Sequence, residues 1–190
     1  MKRLFVAVKI PPGEAIQEAL QRYRQELQGE DIKWVEPHNL HLTLKFFGET
    51  PSRQVGPIVN ALQEAAADCP PSSFRVEGCG TFGSHRIPRV IWLGIRKADG
   101  LTRLYESVNK HLSPLGYLPD KKLFTPHLTL GRIRELRDLH RLHSIESELV
   151  DAVFSRVDLR EFVLMESFLR PRGPVYKVMQ SFGLGEGQRA

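Results

Sequence analysis

The chain has 190 residues, 41% of them hydrophobic and 26% charged, with a formal net charge of +5. That usage is ordinary for a globular protein of one domain or two small lobes, and it excludes a disordered or fibrous chain. The positive balance leans toward anionic partners such as nucleic acid or nucleotides. Only two cysteines are present, Cys69 and Cys79, with no CxxC; they read as reduced thiols of a cytoplasmic protein rather than a disulfide framework or a zinc site.

Arg3 to Ile10 (RLFVAVKI) reads as a buried strand, broken by Pro11, Pro12 and Gly13. Lys2 and Arg3 imitate the start of a signal peptide. The apolar run behind them is short and meets two prolines with no small-residue cleavage site, so no targeting segment is expected. No stretch is long and apolar enough for a membrane span. Ile16, Leu20, Tyr23 and Leu27 at helical spacing predict a helix over Glu14 to Leu27, closed by Gly29. A short extended piece, Ile32 to Val35, leads through Pro37, His38 and Asn39 into a strand beginning HLTLKF at His41 and ending near Gly48. Pro51 and Ser52 open a second helix reaching about Asp68, with Pro57 in or near its first turns, where proline is tolerated best.

Two strands follow, Phe74 to Gly80 and Arg89 to Arg96, and the turn-rich link Thr81 to Pro88 makes them a hairpin. Leu104, Val108 and Leu112 mark a helix over Leu101 to Leu115. A strand beginning HLTLGR at His127 comes next, then a helix over Arg137 to Val150. The strands Phe162 to Leu169 and Val175 to Phe182, parted by RPRGP, form a second hairpin, and GEGQRA is a frayed tail. The hairpins favour α+β architecture with largely antiparallel sheets. The repeated HLTL strands, one in each half and each between two helices, suggest two pseudo-symmetric lobes. Residues 1–190 are read as one bilobal domain.

Side chains alternate across a strand. In the first motif Leu42, Leu44 and Phe46 are therefore expected on one face, and His41, Thr43 and Lys45 on the other. In the second, Leu128 and Leu130 oppose His127 and Thr129. A face carrying histidine and threonine suits a cleft better than a core. Two imidazoles, one neutral and one protonated, make a general base and a general acid near neutral pH. Threonine hydroxyls can donate to phosphate oxygens between them. The pair fits in-line displacement at phosphorus without a metal. Simple alternation puts Arg132 on the leucine face, but a bulge at Gly131 would swing it into the cleft, where its fork could clamp a phosphate.

Two His-x-Thr-x motifs, one per half, resemble the signature of the 2H phosphoesterase superfamily. The segments RLFVAVKIPP, KWVEPHNLHLTLKFFGE, FTPHLTLGR and SFLRPRGPVYKVMQSFGL are similar to its RNA 2′,3′-cyclic phosphodiesterase branch, once called 2′-5′ RNA ligases. The resemblance covers nearly the whole chain. It implies two antiparallel sheets with outer helices flanking a V-shaped cleft. It further implies His41 as proton donor to the leaving 3′ oxygen, His127 as proton acceptor from water, and Thr43 and Thr129 as phosphate contacts. The product would be a 2′-phosphomonoester. The expected partners are RNA ends or nucleotides bearing a 2′,3′-cyclic phosphate. Neither metal nor cofactor is called for, and the protein is expected to be a monomer able to join 2′-5′ linkages weakly. The alternatives are a binding module of the same fold without turnover and a different cyclic phosphodiester substrate.

Other residues read less specifically. A metal site of His38, His41 and His127 lacks the usual carboxylate or thiolate. His140 and His143, with Glu146, suit a solvated helix face. His85 lies in the hairpin link, and His111 suits the dipole near a helix end. Trp34, Phe46, Phe47 and Tyr176 could stack on a base, although alternation assigns Phe46 to the core. No GxxxxGK[ST] motif is present, so nothing suggests ATP binding by a P-loop.

Overall fold

The computed structural model describes residues 1–170 and 173–185. Strand β1 (Lys2–Lys9) is followed by helix α1 (Glu14–Glu26), β2 (Asp31–Trp34), β3 (His41–Thr50), α2 (Ser52–Ala67), β4 (Ser72–Ser84), β5 (Ile87–Arg96), α3 (Asp99–Leu112), β6 (His127–Glu135), α4 (Leu139–Leu149), β7 (Val153–Leu159), β8 (Glu161–Arg170) and β9 (Gly173–Gly183). The expected elements are all present, shifted by a few residues at their ends, and the β4–β5 hairpin runs further toward its tip than its turn residues suggest. Strand β7 has no counterpart in the sequence reading. Pro171 and Arg172 of the RPRGP turn, and Glu186 to Ala190 of the tail, lie outside the described residues.

The strands form two sheets, ordered β3-β1-β8-β9 and β2-β6-β5-β4-β7, and every described pairing is antiparallel. The sheets do not divide the chain into its two halves. β2 leaves the first half to pair with β6, and β8 and β9 return from the C-terminal part to complete the sheet of β1 and β3.

The helices cover the apolar faces. α1 buries Ile16, Ala19, Leu20 and Tyr23, and α3 buries Leu101, Leu104, Val108 and Leu112, each a stripe at helical spacing. α4 starts at Asp138, whose carboxylate accepts from the Arg141 backbone N–H at 3.1 Å. One continuous core joins these stripes to Leu4, Val6, Leu42, Leu44, Phe74, Val76, Ile91, Leu93, Leu128 and Leu130. Each such side chain, taken fully out of water, contributes roughly 1.5–3 kcal/mol. A smaller apolar cluster lies on the other face of the first sheet, where Phe5, Ala7, Val163 and Met165 are buried and Tyr176 packs against them. β1 is thus covered on both faces, which explains its unbroken apolar run.

No helix among the described residues is long and apolar enough to cross a membrane. Both cysteines are free thiols.

Candidate active site

Both HLTL strands carry the same irregularity, and it decides which side chains reach the cleft. In β3, Thr43 faces Ala7 while Lys45 faces Val6, which leaves Leu44 as an unpaired bulge residue against β1. In β6, Thr129 faces Trp92 while Gly131 faces Ile91, which leaves Leu130 in the same role against β5. An extra residue moves everything beyond it to the opposite face. Arg132 therefore emerges exposed on the side of His127 and Thr129, as the sequence reading expects, although the bulge lies one residue earlier than Gly131.

In β3 the same bulge reverses two assignments made by simple alternation. Lys45 turns inward and is 5% exposed, whereas Phe46 turns outward to the His41 side and is 63% exposed. Phe46 is thus the counterpart of Arg132 in the first motif. Glycine is not the cause of the bulge, since β3 has it without one. Gly131 answers a packing need, because a Cβ there would approach the Trp34 ring to 2.8 Å. Trp34 itself packs against the main core.

The histidines begin their strands in matching environments. The Nδ1 atom of His41 lies 2.6 Å from the backbone carbonyl of Asn39, and that of His127 lies 2.7 Å from the carbonyl of Thr125. A carbonyl can only accept, so Nδ1 carries a proton and donates it. Nε2 is left as the atom that gains or loses a proton, with the ring orientation fixed from behind. Aromatic neighbours hold each ring. His41 packs against Phe5 (centroids 5.2 Å apart) and edge-on to Tyr176 (5.2 Å). His127 packs edge-on to Phe82 (4.6 Å), which leans on Trp92. Both histidines and both threonines are half-buried.

Burial lowers the pKa of both imidazoles below the ordinary 6.5, the backbone carbonyls oppose this, and the Arg132 guanidinium lowers both further. Arg132 also acts on the Tyr176 phenol, whose pKa burial raises and the guanidinium pulls back. One exposed cation therefore acts on groups from both sheets, and β3 and β6 are in contact with one another. The Arg132 guanidinium thus links His41 and His127 electrostatically, while Thr43 and Thr129 each stand two residues beyond a histidine on the two motif strands. Sequence reasoning missed Phe5 and Phe82, the two rings that seat the histidines. Phe5 lies in β1, beside the first motif strand, but Phe82 lies in β4, one strand removed from β6, so no local signal links it to the second motif.

The remaining histidines fall elsewhere. His38 is exposed and lines a separate groove of about 1110 Å³ with Lys9, Arg156 and Glu161. Among the described residues no three His, Cys, Asp or Glu gather as a metal site, so His38, His41 and His127 do not form one. His140 is exposed, but His143 is half-buried and packs on His85 at 4.3 Å between centroids, a contact the solvated-face reading did not foresee. His111, in the last turn of α3, lies between Glu64 (3.0 Å) and Asp68 (2.8 Å).

Comparison with known proteins identifies the family. The family model described as LigT like Phosphoesterase matches twice, over residues 8–92 and 93–176, one match for each motif. A protein of Archaeoglobus fulgidus named RNA 2′,3′-cyclic phosphodiesterase is 38% identical over 185 residues, which cover 95% of this chain and 99% of that one. A protein of the same name from Methanothermobacter thermautotrophicus is 32% identical, covering 96% and 98%. A crystal structure of a Thermus thermophilus protein superposes with a TM-score of 0.79 at 30% identity, covering 97% and 99%. The repeated motif, the paired antiparallel sheets and these similarities lead to one conclusion: the chain belongs to the LigT-like phosphoesterase family of the 2H superfamily.

Proposed function

We propose that the protein hydrolyses the 2′,3′-cyclic phosphate of an RNA end or nucleotide to a 2′-phosphomonoester, by acid-base catalysis between His41 and His127 and without a metal ion. The observation that carries the reading is the matched pair of imidazoles. Each has Nδ1 tied to a backbone carbonyl and, among the described residues, no hydrogen-bond partner on Nε2, and the pKa of each is lowered by the Arg132 guanidinium. Thr43 and Thr129 would donate hydroxyl hydrogen bonds to the non-bridging oxygens, and Arg132 would neutralise the charge that gathers there in the transition state. The curated relatives' named activity supports the substrate class.

The roles follow from where the nucleoside rests. The most open aromatic surface is Phe46, which lies on the first sheet against Phe5 with centroids 5.7 Å apart. Phe5 in turn touches His41. A base stacked there brings the ribose to His41, which then protonates the departing 3′ oxygen, while His127 deprotonates water on the opposite side. With an RNA 5′-hydroxyl in place of water as the nucleophile, the same displacement of the 3′ oxygen would form a 2′-5′ linkage, weakly in dilute RNA. The whole chain is proposed to act as one bilobal unit, since β2, β8 and β9 knit its halves together, and to act as a monomer. With two free thiols it fits the reducing cytoplasm.

The test is product analysis. An oligonucleotide ending in a 2′,3′-cyclic phosphate is expected to yield only the 2′-phosphate, with the same rate in excess EDTA. A 3′-phosphate product, or activity lost to chelator and restored by zinc, contradicts the proposal.

A further inference from the structure

His41 and His127 are oriented by equivalent carbonyls, but those carbonyls are held in place differently. Asn39 ends a tight turn closed by its own backbone, with Asn39 N–H donating to the Glu36 carbonyl (2.8 Å) and Leu40 N–H to the Pro37 carbonyl (3.2 Å). Thr125 ends a long irregular strap, residues 116–126, between α3 and β6. Among the described residues the strap from 118 to 126 makes no backbone–backbone hydrogen bond. Nor is it anchored by its own leucines, since Leu118 is 68% and Leu123 91% exposed.

Three side-chain contacts hold the strap instead. Tyr117 packs edge-on to Phe47 at 4.8 Å and donates to the Gln54 side-chain oxygen at 2.8 Å. Phe124 stacks flat on Tyr105 at 3.9 Å. The third is Lys45, which the Leu44 bulge turns inward; its ammonium donates to the Leu118 carbonyl and lies 3.7 Å from the Asp120 carboxylate. A buried ammonium is tolerated only when it is paired. Here its partners come from the segment that leads into the second motif, while Lys45 itself comes two residues after Thr43 in the first.

We propose that Lys45 is a positioning residue. It fastens the strap to the first-motif strand and thereby holds the Thr125 carbonyl, and with it the His127 imidazole, in register with His41. The inference rests on the assignment of His127 to catalysis. It predicts that the two motifs are coupled through the strap, with the Lys45 ammonium as its buried fastening, rather than placed independently by their own sheets.

Lys45→Met keeps the aliphatic stem and removes the charge. It is expected to lower kcat for a cyclic-phosphate-ended oligonucleotide about 10- to 100-fold with KM changed less than about twofold, because small displacements of a reacting group carry penalties of that order. In the nitrogen-proton NMR spectrum the His127 Nδ1–H resonance should broaden or vanish while that of His41 persists. Tyr117→Ala loosens the same strap without stranding a charge and should reproduce both signs, so the test survives if the lysine variant fails to fold. Folded variants with unchanged kcat and an intact His127 resonance would overturn the proposal, as would equal loss of both histidine resonances, the mark of a merely structural role. If His127→Ala itself retains full turnover, the catalytic reading fails instead, and the selective NMR response still reports whether Lys45 orients the ring.

Discussion

Alanine at either His41 or His127 is expected to lower kcat/KM for a cyclic-phosphate-ended oligonucleotide by about 100- to 10,000-fold, the usual contribution of one positioned proton transfer. The fold should survive, since both rings are half-buried and neither belongs to the main core. The double variant should be little worse than either single one, because acid and base act in one displacement and their losses do not add. The two roles separate with a substrate whose 3′ bridging oxygen is sulfur. A thiolate, with a pKa of about 8.5, departs without being protonated. That substrate should restore turnover to His41→Ala and leave His127→Ala inactive. Rescue of the His127 variant instead would exchange the roles and move the nucleoside to the other sheet. Steady-state kinetics with the two substrates, alongside circular dichroism of each variant, decides the matter.

The second large effect is expected at Arg132. Arg132→Met removes a cation whose charge acts on both imidazoles, and it should lower kcat by about 100- to 1,000-fold, comparable to loss of a preorganised donor at a developing charge. It should also move the pH profile. Burial first, and Arg132 after it, hold both histidines below 6.5 in the free enzyme. The profile of kcat/KM needs one imidazole neutral and the other protonated, so it should be bell-shaped with its optimum below about pH 6.5. Without the guanidinium both pKa values rise, and the residual optimum should shift toward higher pH. Burial remains the larger cause, so the shift should not carry the optimum past that of free imidazole. A profile that keeps its position in Arg132→Met would place the guanidinium away from the histidines. A monotonic wild-type profile, with chemistry rate-limiting, would remove the two-histidine mechanism.

Much of the site was legible because its signal is local. His41 and Thr43, like His127 and Thr129, need only alternation along a strand to share a face. Arg132 does follow a bulge and is exposed, although the glycine taken as the cause serves the Trp34 ring instead. What alternation could not give is the register beyond each bulge. A bulge depends on the partner strand, and nothing in LTLKFF marks Leu44 as unpaired. Lys45 and Phe46 therefore exchanged faces, and with them went the buried ammonium and the open aromatic ring.

The fold shows the same limit. Helices α1 and α3 were readable from their stripes, whereas β7 carries Ser155, Arg156 and Asp158 along a sheet edge and buries only Val157 and Leu159. Its period-two pattern is too short to stand out from a loop. The passage of β2 into the second sheet is set by long-range pairing with β6 and by Trp34 against Gly131, which no window of sequence contains.

The central claim is that one phosphorus centre is approached from opposite sides by imidazoles of the two motifs. A crystal structure of the protein with a nucleoside 2′-monophosphate tests it most directly. The account predicts the phosphate within hydrogen-bond reach, about 2.6–3.2 Å, of Nε2 of both His41 and His127, with Arg132 beside it and the base over Phe46. A phosphate bound to one imidazole only, with the other ring turned to a separate pocket, would contradict it.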